Sequence, residues 1–439
     1  YQLAVDEARP DTPEARGDWT IMVYVNGDND LEEFAISDVN EMEAVRLPNG
    51  VKVVVMVDRH EAYDSSNGNW SNTRRGLIQS DSSTGTISSP LTAVGEKDMG
   101  ARQTLTGFIN WGTSTYRASN YGLVVWDHGG GLSGTSWDEQ SNNHLSVHDI
   151  SAAISGSTAR RLDFVGFDTC LQGMVEQSLD LQGQASVVVG SEELEPGDGW
   201  NYTGWLNRLK QNPTASPREL AAAAVESYAQ HYGPTSTDDE PPTLSATDTT
   251  TYAALGQRLN AFVTATASAT SADWQKMAEA REAAPMFGKM NDHRDLYAFM
   301  TAVAQKVSTQ GIIDAARAVA AAVQQTVIAN YTSAPNRHGL SIFLPPPGAS
   351  LGQYTVTQYP YLNTVNWRTF LTRFASGARS STRSGDTGPS RTTSTVETLR
   401  SGLATVPLGA GTERLAAATA GSTTAGSRPL GLLAAVNAA

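Results

Sequence analysis

The chain has 439 residues, 40 % of them hydrophobic, enough to build a sizeable core in one large α/β domain or in two or three average ones. Lys and Arg number 31 against 45 Asp and Glu, a formal net charge of -14, and no basic run is present. That excludes the electropositive footprint of a nucleic-acid binder and favours a basic ligand or peptide.

Residues 1–18 are polar and irregular. Residues 19–25 (WTIMVYV) predict a buried strand, followed by Asn26, Gly27, Asp28, Asn29 and Asp30. An amphipathic helix with Leu31, Phe34, Ala35, Val39 and Met42 comes next, and Asp30 with Glu33 fits a capping box. Residues 51–57 predict a second buried strand ending at Asp58, residues 73–79 a hairpin strand, and Leu105, Phe108 and Ile109 a further helix. Residues 121–126 (YGLVVW) predict a strand running into Asp127, His128 and three glycines, Gly129 to Gly131. Residues 162–167 (LDFVGF) predict another, running into Asp168, Thr169 and Cys170 and then into a helix with Leu171, Met174, Val175 and Leu179 on one face. The strand at 186–190 opens into an acidic loop at 191–200.

From about Pro213 the sequence is Ala-rich and helical, broken at 243–251 and by a strand-like stretch at 339–344. A helix bearing Trp367, Phe370, Leu371 and Phe374 closes the folded part. Beyond Ser376 the composition turns to Ser, Thr, Gly, Ala and Arg, with no aromatic residue. Such a segment buries too little apolar surface to offset its ordering entropy, so 376–439 is predicted to be disordered. The organisation is therefore an N-terminal segment 1–18, one domain over 19–375 and a tail over 376–439.

Continuous apolar strands alternating with helices predict a mostly parallel sheet covered on both faces. Ligands of such sheets bind beyond the carboxyl ends of the strands, where His128, Cys170 and the acidic loop all fall. No stretch of about 20 apolar residues is available to span a bilayer. The start at Tyr1, with no charged n-region or apolar leader, means either that a leader has been removed or that the sequence was cut to begin there, and a secreted or cell-envelope protein is expected.

Cys170 is the one cysteine, which rules out an intramolecular disulfide and a multi-cysteine zinc site. A lone cysteine is most often a small inert hydrophobe. A free thiol has a pKa near ~8.5, so attack on a peptide bond needs a base or a lowered pKa. A place between a strand end and a helix N-terminus would supply a positive dipole end. Of the seven histidines, His128 alone follows a buried strand directly and precedes a glycine run. Glycine lets backbone approach a ligand closely, which makes the amides of Gly129 and Cys170 candidates for an oxyanion hole. The competing reading is a packed core histidine whose glycines serve a tight turn.

The segment WTIMVYVNGDNDLE from Trp19, VVWDHGGG ending at Gly131 and FVGFDTCLQGMVEQSL ending at Leu179 resemble the clostripain family, as do SEELEPGDGWNY from Ser191 and HGLSIFLP from His338. The resemblance extends from Trp19 to about Phe374 and implies a caspase-like α/β fold, a three-layer sandwich with a mostly parallel central sheet flanked by helices. It implies a cysteine endopeptidase acting after Arg or Lys, with Cys170 and His128 as catalytic pair and protein or peptide substrates exposing those residues. Asp168 fits the family's Asp-x-Cys pattern and is the first candidate to bind the substrate cation, although an acid there also suits helix capping. Asp198 is the second candidate, with Glu192, Glu193 and Glu195 as rivals in the same loop. The protein is expected to act as a monomer.

No cofactor is required on this reading, while Ca2+, which some such relatives use, stays open as a stabiliser or activator. The loop Asp28, Asn29, Asp30 lacks EF-hand spacing and suits helix capping better, so no metal ligand is named. Some relatives are activated by self-cleavage at a basic residue between the catalytic His and Cys. Here the loop 131–144 has no Lys or Arg, and only Arg160 and Arg161 lie between His128 and Cys170, which argues against a nick in that loop.

Two other functions compete. A serine esterase would use the glycines after His128 as an oxyanion motif and the elbow-like Gly348-Ala349-Ser350-Leu351-Gly352, but that pentapeptide follows three prolines and opens into no predicted helix. A catalytically inactive, surface-displayed binding module of the same fold would be signalled by a missing Cys or His, and both are present.

Overall fold

Strand β1 (Trp19–Gly27) is buried at every position, because it runs through the middle of a sheet with protein on both faces. The computed structural model describes residues 19–378 apart from Thr84, 234–240, Met290 and Gln353. The predicted irregular segment 1–18, and the predicted disordered tail 376–439 except its first three residues, lie outside the described residues; Ser376 and Gly377 belong to the last helix. After β1 come α1 (Glu32–Glu43), β2 (Val51–Arg59), β3 (Arg74–Leu77), β4 (Thr92–Ala93), α2 (Arg102–Thr115) and β5 (Asn120–Trp126). Next are β6 (Thr135–Asp138), β7 (Asn143–Leu145), α3 (Val147–Gly156), β8 (Phe164–Asp168), α4 (Val175–Asp180) and β9 (Val187–Gly190). The C-terminal part contains α5 (Tyr202–Gln211), α6 (Pro217–Tyr232), β10 (Thr243–Asp248), α7 (Tyr252–Ala265), α8 (Ser271–Ala283) and β11 (Met286–Phe287). It ends with β12 (His293–Asp295), α9 (Leu296–Lys306), α10 (Gln310–Thr326), β13 (Val327–Thr332), β14 (Ser341–Phe343) and α11 (Trp367–Gly377).

Nine strands form the main sheet in the order β13-β10-β9-β8-β5-β1-β2-β3-β4. The five central strands, β9, β8, β5, β1 and β2, run parallel, and the outer pairs are antiparallel. Alternation along each strand feeds two cores. Met22 and Tyr24 of β1 join the core under α2, α3 and α7 to α11, whereas Ile21, Val23 and Val25 join the core under α1, α5 and α6. The chain leaves β1 for β2 on one side and returns as β5 on the other. The carboxyl ends of β1 and β5 therefore flank a topological switch point, where an open α/β sheet leaves a crevice.

The predicted strands at 19–25, 51–57, 73–79, 121–126, 162–167 and 186–190 correspond to β1, β2, β3, β5, β8 and β9. The helix expected directly after Cys170 starts only at Val175. Leu171 and Met174 are committed elsewhere: Leu171 packs with Leu194 and Phe287, and Met174 bridges Ser341, whose N–H donates to the Gly173 carbonyl at 2.9 Å. Leu171 takes a φ of 62°, a left-handed conformation that L side chains rarely adopt.

Candidate active site

His128 and Cys170 come from adjacent parallel strands with the same offset. Trp126 of β5 pairs with Asp168 of β8, and each candidate lies two residues beyond that pair. The Asp127 N–H donates to the Asp168 carbonyl at 3.3 Å, carrying the ladder one step further. The two side chains then line one cleft together with Leu31, Trp126, Asp168 and Glu195. A Cβ at Gly129 would lie 1.9 Å from the Cys170 carbonyl oxygen, so only glycine permits this backbone approach.

The Cys170 sulfur accepts the Glu195 N–H at 3.2 Å and also faces the Gly129 N–H. Burial pushes the thiol up to about 11, with the charges of Glu193 and Asp168 acting in the same sense and the two amides opposing them. The thiolate-stabilising helix end expected from the sequence is missing, because four residues separate Cys170 from the start of α4. The raised value favours the thiol over the thiolate.

His128 supplies a ring one third exposed, with Nε2 2.8 Å from Asp30 Oδ1. Burial alone would lower its pKa, but the hydrogen bond to Asp30 and the charges of Asp127, Asp30 and Glu139 outweigh it, and the net shift is upward. The same hydrogen bond holds Asp30 below the usual carboxylate range. The expected capping box of Asp30 and Glu33 does not form. Leu31 occupies the N-cap of α1 without a side-chain bond, and Asp30 is turned to the imidazole instead. Asp127, buried behind His128, accepts from Asn29 Nδ2 at 2.8 Å and Asn26 Nδ2 at 3.1 Å, joining the ends of β1 and β5.

Asp168 is 4 % exposed and caps no helix. Its Oδ1 accepts the Trp200 N–H at 3.1 Å and its Oδ2 the Tyr202 hydroxyl at 2.8 Å. Burial pushes it up to about 7 against hydrogen bonds from Tyr202, Glu195 and Trp200. Glu195 lies beside it, 5 % exposed, with its carboxyl against that of Asp168 and the Trp200 indole. Its pKa is pushed well up by burial and by the charges of Asp168 and Cys170. Asp198 is exposed and lies outside the cleft lining, and Glu192 and Glu193 are buried away from it. Asp28 also turns from the cleft, into a group of carboxylates with Asp58, Glu96 and Asp138.

Two residues at this site escape sequence reading. Asp30 resembles a cap, and Glu195 is one of three similar acids in a loop; only the loop path that sets the Glu195 N–H on the sulfur singles it out.

A parallel-centred sheet with helices on both faces, carrying a histidine and a cysteine at adjacent strand ends, defines a caspase-like α/β fold. The sequence profile of the clostripain family, Peptidase_C11, matches residues 23–373, and the chain belongs to that family. It is 27 % identical to clostripain of Hathewaya histolytica over 223 residues, 44 % of this chain and 42 % of that protein, so it spans less than half the length of that curated relative. Among solved structures it is similar to a secreted C11 cysteine protease from Bacteroides thetaiotaomicron in complex with an irreversible peptide inhibitor. The TM-score is 0.62 at 19 % identity, covering 80 % of this chain and 99 % of that one. An inactive zymogen C11 protease from Parabacteroides distasonis is similar with a TM-score of 0.59 at 17 % identity, covering 84 % and 99 %.

Proposed function

We propose that the chain is a cysteine endopeptidase that hydrolyses peptide bonds after basic residues, Arg before Lys, and works outside the cell or at its envelope. The observation that carries this reading is one cleft holding a neutral thiol, an imidazole and two buried carboxyls, those of Asp168 and Glu195. The substrate's cationic side chain enters beside Asp168 and Glu195, where a guanidinium pairs with a carboxylate in a partly dry site. Asp198, exposed on the same loop, adds negative charge at the mouth.

With Nε2 bonded to Asp30, His128 keeps its other ring nitrogen, Nδ1, to take the thiol proton as Sγ attacks the scissile carbonyl carbon. The Gly129 amide, which faces the sulfur, and the Cys170 amide receive the oxyanion. The imidazolium then protonates the leaving amine, and water hydrolyses the thioester with His128 again as base.

The esterase reading finds no support at Ser350, which is exposed; β14 ends at Phe343 and the next α-helix begins at Trp367. The test is a fluorogenic peptide panel varying only the residue before the scissile bond, with matched esters, for wild type, Cys170→Ala and His128→Ala. Cleavage after Arg, then Lys, is expected, with nearly all turnover lost in either variant and little further loss in the double variant. Substantial activity in Cys170→Ala would sink the reading.

A further inference from the structure

Beyond the ladder bond between Asp127 and Asp168, the segment after His128 passes through a closed turn, residues 129–134, before β6 begins. Its backbone bonds are internal. The Gly130 N–H donates to the Gly134 carbonyl at 2.9 Å, and the Gly134 N–H donates to the Gly131 carbonyl at 3.1 Å. Gly131 and Gly134 hold φ values of 59° and 96°, which glycine adopts at little cost.

Gln172, two residues past Cys170, meets this turn. Its Nε2 donates to the Gly131 carbonyl at 3.1 Å and to the Gly134 carbonyl at 3.0 Å, so both amide hydrogens are used. The side chain is fully buried, and its backbone is held from the other direction. The Leu171 N–H donates to the Glu193 carbonyl at 3.1 Å and the Gly173 N–H to the Ser191 carbonyl at 2.6 Å. A fixed donor thus joins the turn after His128 to the turn after Cys170. The residue type suits the task, because one nitrogen must serve two carbonyls without carrying a charge. Lys or Arg would bury a cation there, and the thioether of Met would donate nothing. Tyr359 holds the same turn from a third segment, its hydroxyl donating to the Leu132 carbonyl at 3.0 Å.

We propose that Gln172, supported by Tyr359, is a positioning residue that keeps the Gly129 amide and the His128 ring in place against Cys170. This role rests on the peptidase reading above. Its effect is selective. Gly129 opens the turn and its amide faces the sulfur, whereas the pocket acid Asp168 is fastened separately by Trp200 and Tyr202. Loss of the Gln172 donors should therefore disturb addition to the carbonyl and leave the cation pocket as it was.

Two inhibitors built on one peptide sequence test this on the full chain. A peptide ending in arginine aldehyde enters the pocket and then adds the thiol: Sγ bonds the aldehyde carbon, the thiol proton passes to its oxygen, and that oxygen lies against the oxyanion amides. The same peptide ending in agmatine keeps the guanidinium but has no carbonyl at the point of attack, so it binds through the pocket alone. In Gln172→Met the inhibition constant of the aldehyde should rise at least tenfold, while that of the agmatine peptide stays within twofold of wild type. Neither constant depends on the fraction of folded enzyme, so partial unfolding does not imitate the split. Tyr359→Phe removes one donor to the same turn and should raise the aldehyde constant about threefold in the same pattern; it carries the test if Gln172→Met does not fold. An aldehyde constant within twofold of wild type, or an equal rise in both constants, would overturn the proposal. If wild type binds neither compound, the peptidase reading is what fails, and the positioning role falls with it.

Discussion

Asp30 Oδ1 stands 2.8 Å from His128 Nε2, and this bond sets both the orientation and the charge of the imidazole. On the proposed mechanism, proton abstraction from Cys170 requires neutral His128, whose pKa is raised. Activity should therefore fall as pH drops through that raised value. Asp30→Asn removes a fixed negative charge and leaves burial, which acts downward, opposed by Asp127 and Glu139. The acidic limb of kcat/KM should move to lower pH in Asp30→Asn, while the plateau falls through loss of ring orientation. The pH profiles of both proteins check this; a limb that stays in place or moves up would contradict it.

The approach of Gly129 to Cys170 makes a second prediction. Its Cβ would meet the Cys170 carbonyl oxygen at 1.9 Å and the Cys170 nitrogen at 2.8 Å, so Gly129→Ala must push β5 and β8 apart beyond their ends. Overpacking of this kind costs about 1–3 kcal/mol or more and displaces the sulfur and the oxyanion amides together. A lower Tm and a loss in kcat of about a hundredfold are expected. Gly107, in α2 with open space around its Cβ position, is the control: Gly107→Ala should leave kcat unchanged and raise stability by about 0.5–1 kcal/mol.

The strands were legible because buried parallel strands read as unbroken apolar runs, and β1, β2, β5 and β8 lie in the sheet's middle. Their carboxyl ends put His128 and Cys170 on one edge of the sheet. Strand β13 was not legible, since it continues an Ala-rich helical stretch directly from α10 and is defined by pairing with β10. The start of α4 was missed for a related reason: Leu171 and Met174 have helical spacing, but their partners, Phe287 and Ser341, lie more than a hundred residues away. Local pattern carries neither contact. The role of Asp30 was hidden likewise, since a cap and a histidine partner look alike in sequence.

Activation should not require a nick between residues 131 and 144. This segment forms the β6–β7 hairpin, tied back by the Thr135 hydroxyl to the His128 carbonyl at 2.7 Å and by Gln172 Nε2 to the carbonyls of Gly131 and Gly134. Its exposed turn, 139–142, reads Glu-Gln-Ser-Asn and offers no basic residue. Intact-mass spectrometry of active protein should find this hairpin uncut. Any self-processing is expected at Arg379, Arg383 or Arg391, which lie outside the described residues.

Specificity should divide unequally among the acids around the cleft. Asp168 and Glu195 are buried in its lining, whereas Asp198 is exposed beyond it. A charge-assisted hydrogen bond contributes about 1.5–3 kcal/mol, so Asp168→Asn should cut kcat/KM for Arg substrates about tenfold or more and narrow their advantage over Ala substrates. Glu195→Gln should narrow the same advantage, since its buried carboxyl lines the cleft beside Asp168. Asp198→Asn acts through a solvated charge and should cost about twofold or less, with the loss reduced at high salt. Asp168 also fastens Trp200 and Tyr202, so a merely structural loss must be separated from a lost cation contact. Comparing Arg, Lys and Ala before the scissile bond does this: a structural defect lowers all three rates together, while a lost contact lowers Arg and Lys alone. Wild type cleaving after Ala as readily as after Arg would refute the assignment of the pocket.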